Sequence, residues 1–175
     1  ILCIIMLLYL AMWFCSRKKY PIEYGLSFNQ DYATSLGLDW KKTYLDMLDG
    51  LNPKYIRISA MWSDVEAAQG TFDFSRVDFM MREAAQRNVK VVLAIGQKTP
   101  RWPECNVPSW HANIDAAQKN KYLLRYITET VNHYASYPAL EIWQVENEPF
   151  IPFKFGDCAQ YNPDGVPAEI ILVKQ

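Results

Sequence analysis

A chain of 175 residues that is 50% hydrophobic and 14% aromatic is too apolar to stay disordered and long enough for one modest core. Its formal net charge of −1 provides no field that favours nucleic acid or anionic lipid, so no nucleic-acid partner is expected. Near-neutrality with many aromatic rings suits neutral, flat-faced ligands such as sugars, although most such rings simply fill cores.

Residues 1–15, ILCIIMLLYLAMWFC, carry no charge, and Ser16-Arg17-Lys18-Lys19 follow. The stretch has no polar face to show to water. It falls short of the ~20 residues that span a bilayer, but the sequence opens on Ile1 rather than Met, so upstream residues are allowed for. A signal-peptide core, a membrane anchor and a buried helix compete here. Bulky Met12-Trp13-Phe14 offers no small-residue cleavage site. The favoured reading is an uncleaved hydrophobic helix within segment 1–19, holding an extracytoplasmic domain at the membrane; secretion is the alternative. The basic flank Arg17, Lys18 and Lys19 argues against that orientation unless more basic residues lie upstream.

Segment 20–175 repeats one pattern of short apolar run, turn and amphipathic helix. Residues 22–28 read as a strand. Asp39 caps a helix with Trp40, Tyr44, Leu45, Leu48 and Leu51 at helical spacing, closed by Gly50 and Pro53. Residues 55–60 form the second strand, and Ser75 opens a helix carrying Val77, Met80, Met81 and Ala84 on one face, with Asp78 as a weak capping-box partner. Residues 89–95 form the third strand, nearly all apolar, as in a parallel sheet covered by helices. A proline-rich loop follows over 96–112, then a helix over 115–135 with Tyr122, Leu123, Tyr126, Ile127 and Val131 inward, a strand over 139–145, a loop over 150–167 and the start of a helix over 168–174.

Four βα units in alternation predict an α/β fold. A doubly wound sheet would favour a glycine-rich phosphate loop after the first strand, where Asn29-Gln30-Asp31-Tyr32 stands instead. A TIM (β/α)8 barrel needs about 250 residues, so the pattern reads as the N-terminal half of such a barrel behind the hydrophobic helix. Barrel ligands meet the loops after the strand C-termini. Those loops hold Asn29, Gln30 and Tyr32; Trp62 and Glu66; Arg101, Trp102, Glu104 and Trp110; and Asn147 and Glu148, with Arg57 near the end of the second strand.

These residues carry a resemblance. "WQVENEP" (143–149) resembles the strand-four motif of clan A glycoside hydrolases, the retaining (β/α)8 glycosidases that include family-five cellulases and family-forty-two β-galactosidases. "IRISAMWSDVEAAQGTFDFSRVD" (56–78) resembles the clan's strand-two region, and "PRWPE" (100–104) its tryptophan-bearing substrate loop. The resemblance covers residues 22–175. It implies that Glu148 is the general acid/base, that Asn147 hydrogen-bonds the sugar 2-hydroxyl, and that Arg57 positions a nucleophilic carboxylate at the end of strand seven, beyond this chain. Gly96-Gln97-Lys98 departs from family-five cellulases, which often carry a His near the end of strand three.

Elementary geometry points the same way. A retaining glycosidase needs two carboxyls about 5 Å apart, flanking the scissile bond. On an ideal strand Glu146 and Glu148 point the same way, about 7 Å apart along one face, so they cannot flank a bond and the partner must come from another strand. Glu146 then reads as an ion-paired residue or one that binds sugar hydroxyls. Asn29, Trp62, Trp102, Trp110 and Glu146 are the candidate substrate contacts. His111 and His133 lack ligand spacing, so no metal and no cofactor is expected. Cys105 and Cys158 fall in loops at the same end and form a candidate disulfide for an oxidising compartment.

The expected function is a retaining glycoside hydrolase acting on β-linked sugars, present as a fragment inactive by itself. A carbohydrate-binding barrel without catalysis is the alternative, and a half-barrel that assembles with a partner chain is a third reading.

Overall fold

The computed structural model describes residues 2–17, 21–101, 104–151, 158 and 161–174. Helix α1 (Leu2–Ser16) comes first. Among the described residues, no helix is long and apolar enough to cross a membrane. The remaining elements alternate: strand β1 (Gly25–Ser27), helices α2 (Gln30–Ser35) and α3 (Trp40–Leu51), β2 (Tyr55–Ser59), α4 (Trp62–Val65), α5 (Ser75–Gln86), β3 (Lys90–Ile95), α6 (Ala116–Tyr134), β4 (Leu140–Val145) and α7 (Val166–Val173). The strands form one parallel sheet in the order β1-β2-β3-β4. Four parallel strands laid side by side in chain order, joined through helices, are consistent with part of a TIM barrel.

The sheet has two unlike faces because side chains alternate along a strand. Ile56, Ile58, Val91, Leu93 and Ile95 point toward the helices and are fully buried. They meet Tyr44 and Leu48 of α3, Val77, Met80, Met81 and Ala84 of α5, and Tyr126 and Ile127 of α6 in one core. Each such side chain contributes about 1.5–3 kcal/mol by leaving water. On the opposite face one register row runs Ser27, Arg57, Val92, Ile142. That face is open enough to leave Ile142 51% exposed.

Several boundaries differ from the sequence reading, each for a local reason. Asp39 caps α3 as expected, its carboxylate accepting from the N–H groups of Lys41 and Lys42. The helix ends at a left-handed Asn52 (φ 43°), with Gly50 still inside it and Leu51 63% exposed. Ser75 does not cap α5: Phe74 holds that position, and Asp73 accepts the Ser75 N–H at 2.8 Å. Asp78 makes no capping box, because it accepts from the Tyr134 hydroxyl at 2.7 Å and lies 2.9 Å from His133. The short helices α2 and α4 sit in the loops after β1 and β2 and were not anticipated. Helix α7 starts at Val166, with Pro167 in its first turn, where proline's missing N–H costs nothing.

Candidate active site

The turn that follows β4 carries the sequence Glu146-Asn147-Glu148. It is not a continuation of the strand. Glu146 (φ 60°) and Glu148 (φ 50°) both adopt the left-handed backbone that non-glycine residues usually avoid. The premise that the two glutamates share one strand face is therefore corrected. Glu146 turns inward and is 2% exposed, while Glu148 stands exposed at the end of the sheet. Both Glu146 carboxylate oxygens are occupied by the protein, Oε1 accepting the Gln97 N–H at 2.6 Å and Oε2 the Lys98 N–H at 2.5 Å. This leaves no carboxylate edge aimed at a ligand, contrary to the substrate contact expected of Glu146.

Polar side chains tie the turn to the neighbouring strands. Arg57 donates Nε to the Ser27 hydroxyl at 2.6 Å and Nη1 to Gln144 Oε1 at 3.4 Å. The Gln144 amide donates to the Glu146 carbonyl at 3.1 Å and to Asn147 Oδ1 at 3.3 Å. Asn147 Nδ2 reaches Glu104 Oε1 at 3.5 Å, and Glu104 ion-pairs with Lys98 at 3.4 Å. Lys98 returns to the turn by donating to the Glu148 carbonyl at 3.2 Å. The structure thus brings Arg57, Asn147 and Glu148 to one end of the sheet in a connected network. A small cavity of about 210 Å³ opens beside Arg57, lined by Ser27, Phe28, Ser59, Pro100 and Arg101. A larger one, about 640 Å³, lies between α6 and α7 beside His111 and Glu169, away from the Arg57 face.

Other expected substrate contacts lie elsewhere. Trp62 has 0% exposure. It stacks on Tyr126 at 5.6 Å, meets Trp110 and His111 edge-on, and donates its indole N–H to Glu66 at 2.8 Å. Added protein can only bury it further, so Trp62 is a core residue and not a sugar platform. Trp110 is half-buried, packs on Trp62 and Tyr122, and donates its own N–H to the Glu66 carbonyl at 2.8 Å. Asn29 is the N-cap of α2, accepting from the Tyr32 N–H at 2.8 Å and donating to the Pro100 carbonyl at 3.4 Å. Its amide thus ties α2 to the loop after β3. Trp102 lies outside the described residues.

Cys105 and Cys158 are joined as a disulfide with Cα atoms 5.3 Å apart. It links the β3–α6 loop to the β4–α7 loop. Among the described residues, no group of three His, Cys, Asp or Glu side chains is placed to hold a metal ion. His111 is held below its ordinary pKa by burial and by Lys119.

Sequence reasoning missed Lys98, the bracing role of Glu104, and Glu169 of α7. Glu169 is 1% exposed and neighbours Glu146, close enough to act on its titration. Burial pushes both pKa values up, and for Glu146 the neighbouring Glu169 adds to the effect while the two N–H bonds oppose it. A charged residue inside an apolar helix is the only sequence signal that marked Glu169, since Ala168-Glu169-Ile170-Ile171 interrupts a hydrophobic run.

A carboxylate beside a carboxamide therefore stands at the C-terminal end of a parallel βα strand, linked through Gln144 to an arginine two strands away. Residues 26–160 match the model of glycosyl hydrolase family 10, and the chain belongs to that family. Family 10 lies in clan A, the clan that the motifs resemble, although it is neither of the two families named from them. No curated protein matches the chain. Solved structures with the same fold include a β-galactosidase from the psychrophilic Marinomonas ef1 (TM-score 0.56, 16% identity, covering 72% of this chain and 22% of that one). An exo-β-1,4-mannosidase from Opitutaceae bacterium strain TAV5 gives 0.62 at 16% identity, covering 86% and 29%. GH5_18 from Streptomyces cattleya, in complex with GlcNAc, gives 0.61 at 13% identity, covering 89% and 41%. The chain thus spans well under half the length of each of these, and likeness at such identity speaks to fold alone.

Proposed function

We propose that this chain provides the acid/base half of a retaining β-glycoside hydrolase. The observation that carries the reading is the Asn147–Glu148 pair, presented at the open end of β4 while Glu146 is turned away. In the proposed mechanism the Glu148 carboxyl donates its proton to the glycosidic oxygen as a nucleophilic carboxylate attacks the anomeric carbon from the other side. Glu148 then removes a proton from the water that releases the sugar. Asn147, fixed by Gln144 and Glu104, is oriented toward the sugar 2-hydroxyl. Arg57, on the inner face of the sheet, positions the nucleophile, which a strand outside residues 1–175 supplies. A segment containing one of the two carboxyls has no double displacement of its own, so the 175 residues alone are expected to be inactive.

The disulfide between Cys105 and Cys158 favours an oxidising compartment. With the uncharged segment at the N-terminus, it supports an extracytoplasmic domain, membrane-held or secreted. The rival reading, a carbohydrate-binding barrel without catalysis, loses motive from the burial of Trp62 and the capping role of Asn29. A panel of aryl β-glycosides tested on full-length protein decides between them. The enzyme is expected to hydrolyse at least one substrate with a poor leaving group, and Glu148→Gln to lose about 10²–10⁴-fold in rate, the usual worth of a general acid. Binding without turnover, or a Glu148→Gln variant as active as wild type, rejects the proposal.

A further inference from the structure

We propose that Glu146, backed by Glu169, is a positioning residue that clamps the Glu148-bearing turn onto the end of β3. The inference rests on Glu148 being the acid/base.

Three successive residues of the turn are each fixed to the same short piece of chain. Glu146 donates its N–H to the Ile95 carbonyl at 2.8 Å, Asn147 donates to the Lys98 carbonyl at 2.9 Å, and the Glu148 carbonyl accepts from Lys98 Nζ at 3.2 Å. The Glu146 carboxylate closes the loop by taking the N–H groups of Gln97 and Lys98. These charge-assisted bonds are among the stronger kinds available to a protein. They offset the cost of holding Glu146 and Glu148 left-handed, a conformation that persists only where the surroundings over-determine it.

Gly96 is built for this contact. Its φ is +116°, and a Cβ there would lie 2.5 Å from Glu146 Cδ, so the carboxylate occupies the space a side chain would need. Behind the carboxylate, Glu169 reaches in from α7, close enough to push the Glu146 pKa up. Two buried carboxyls in contact share a proton, since two adjacent charges without solvent would repel. One proton held between the two carboxyls keeps a second charge from standing beside the clamp.

A misplaced acid has a kinetic signature that general instability lacks. A dinitrophenolate leaves without protonation, whereas an alkoxide needs the acid. In full-length enzyme, Glu146→Gln is expected to lower kcat/KM about 10²-fold on an alkyl β-glycoside and within about 3-fold on the dinitrophenyl β-glycoside, the scale of an ångström's misplacement. Glu146→Asp, which keeps the charge and shortens the reach, is expected to show the same split more weakly, and it decides the matter if the Gln variant does not fold. Equal losses on both leaving groups, or no loss on either, overturn the clamp. Glu148→Gln run alongside separates the failures. If it shows the split and the Glu146 variants do not, the clamp alone falls; if it shows none, the acid assignment falls and the clamp with it.

Discussion

Trp62 lies flat against Tyr126, 17° from parallel, with its indole N–H on the Glu66 carboxylate. Glu66 is itself fully buried and also takes the Gly70 N–H at 2.8 Å and an ion pair from Arg125. One carboxylate thus holds α4, the turn at Gly70 and α6 together. Trp62→Ala is expected to cost about 3–5 kcal/mol of stability, as for other fully buried aromatics. Chemical denaturation measures it, and a loss below about 1 kcal/mol would show that the side chain is not core. The Glu146–Glu169 pair makes a pH prediction with a definite sign. Both pKa values are raised above the ordinary 4.5 by burial. The folded chain therefore holds more protons than the unfolded chain above that value, and stability falls as pH rises through the window. The slope for one proton is at most about 1.4 kcal/mol per pH unit. Nearby Tyr126 and Tyr161 are pushed above their usual range by burial and stay protonated throughout. His111, whose pKa is lowered, contributes with the opposite sign in both proteins, so between about pH 5 and 8 the wild-type midpoint should fall more, or rise less, with pH than that of Glu169→Gln. Equal pH slopes for the two proteins contradict the shared proton.

At the scale of elements, what was legible depended on range. Strands β2 and β3 announce themselves because their buried faces are runs of Ile, Val and Leu, β4 because it is mostly apolar although none of its residues is fully buried, and α3, α5 and α6 because apolar residues recur at helical spacing. Helices α2 and α4 are too short, at 6 and 4 residues, for any period to register. The β4 turn was hidden for another reason. Its left-handed glutamates defy local propensity and are held by Gln97 and Lys98, 49 and 48 residues away in sequence. Asn147 and Glu148 could be read because their motif is contiguous, whereas Lys98, Glu104 and Glu169 become partners only once the chain has folded. Trp62 was misplaced because a motif identifies a residue without saying which way it faces. The Cys105–Cys158 bridge works at this scale too, since it closes a separation of 53 residues between two loops that flank the turn. Reduction is expected to cost about 2–4 kcal/mol, mainly through entropy regained by the unfolded chain. Melting with and without reductant measures it, and an unchanged midpoint would mean that the bridge constrains nothing.

At the scale of the molecule, the helices protect one face of the sheet, and the row Ser27, Arg57, Val92, Ile142 lies on the other. On the proposed function that inner face packs against further strands in the whole enzyme, and Arg57 then meets the nucleophile. The 175-residue chain by itself is expected to bind a hydrophobic dye at this face more strongly than full-length protein does, by fluorescence at equal concentration. Equal dye binding would contradict an open inner face. The central claim is that Glu148 is the acid/base of a double displacement, and chemical rescue tests it most directly. Full-length Glu148→Ala is given a dinitrophenyl β-glycoside of the sugar that the wild type hydrolyses, with and without azide. Without its base the variant should accumulate glycosyl-enzyme, and azide, small enough to enter the vacated space, should restore turnover by about 10²-fold or more and yield a β-glycosyl azide of retained configuration. Wild-type turnover in the variant, indifference to azide, or an azide product of inverted configuration would contradict it.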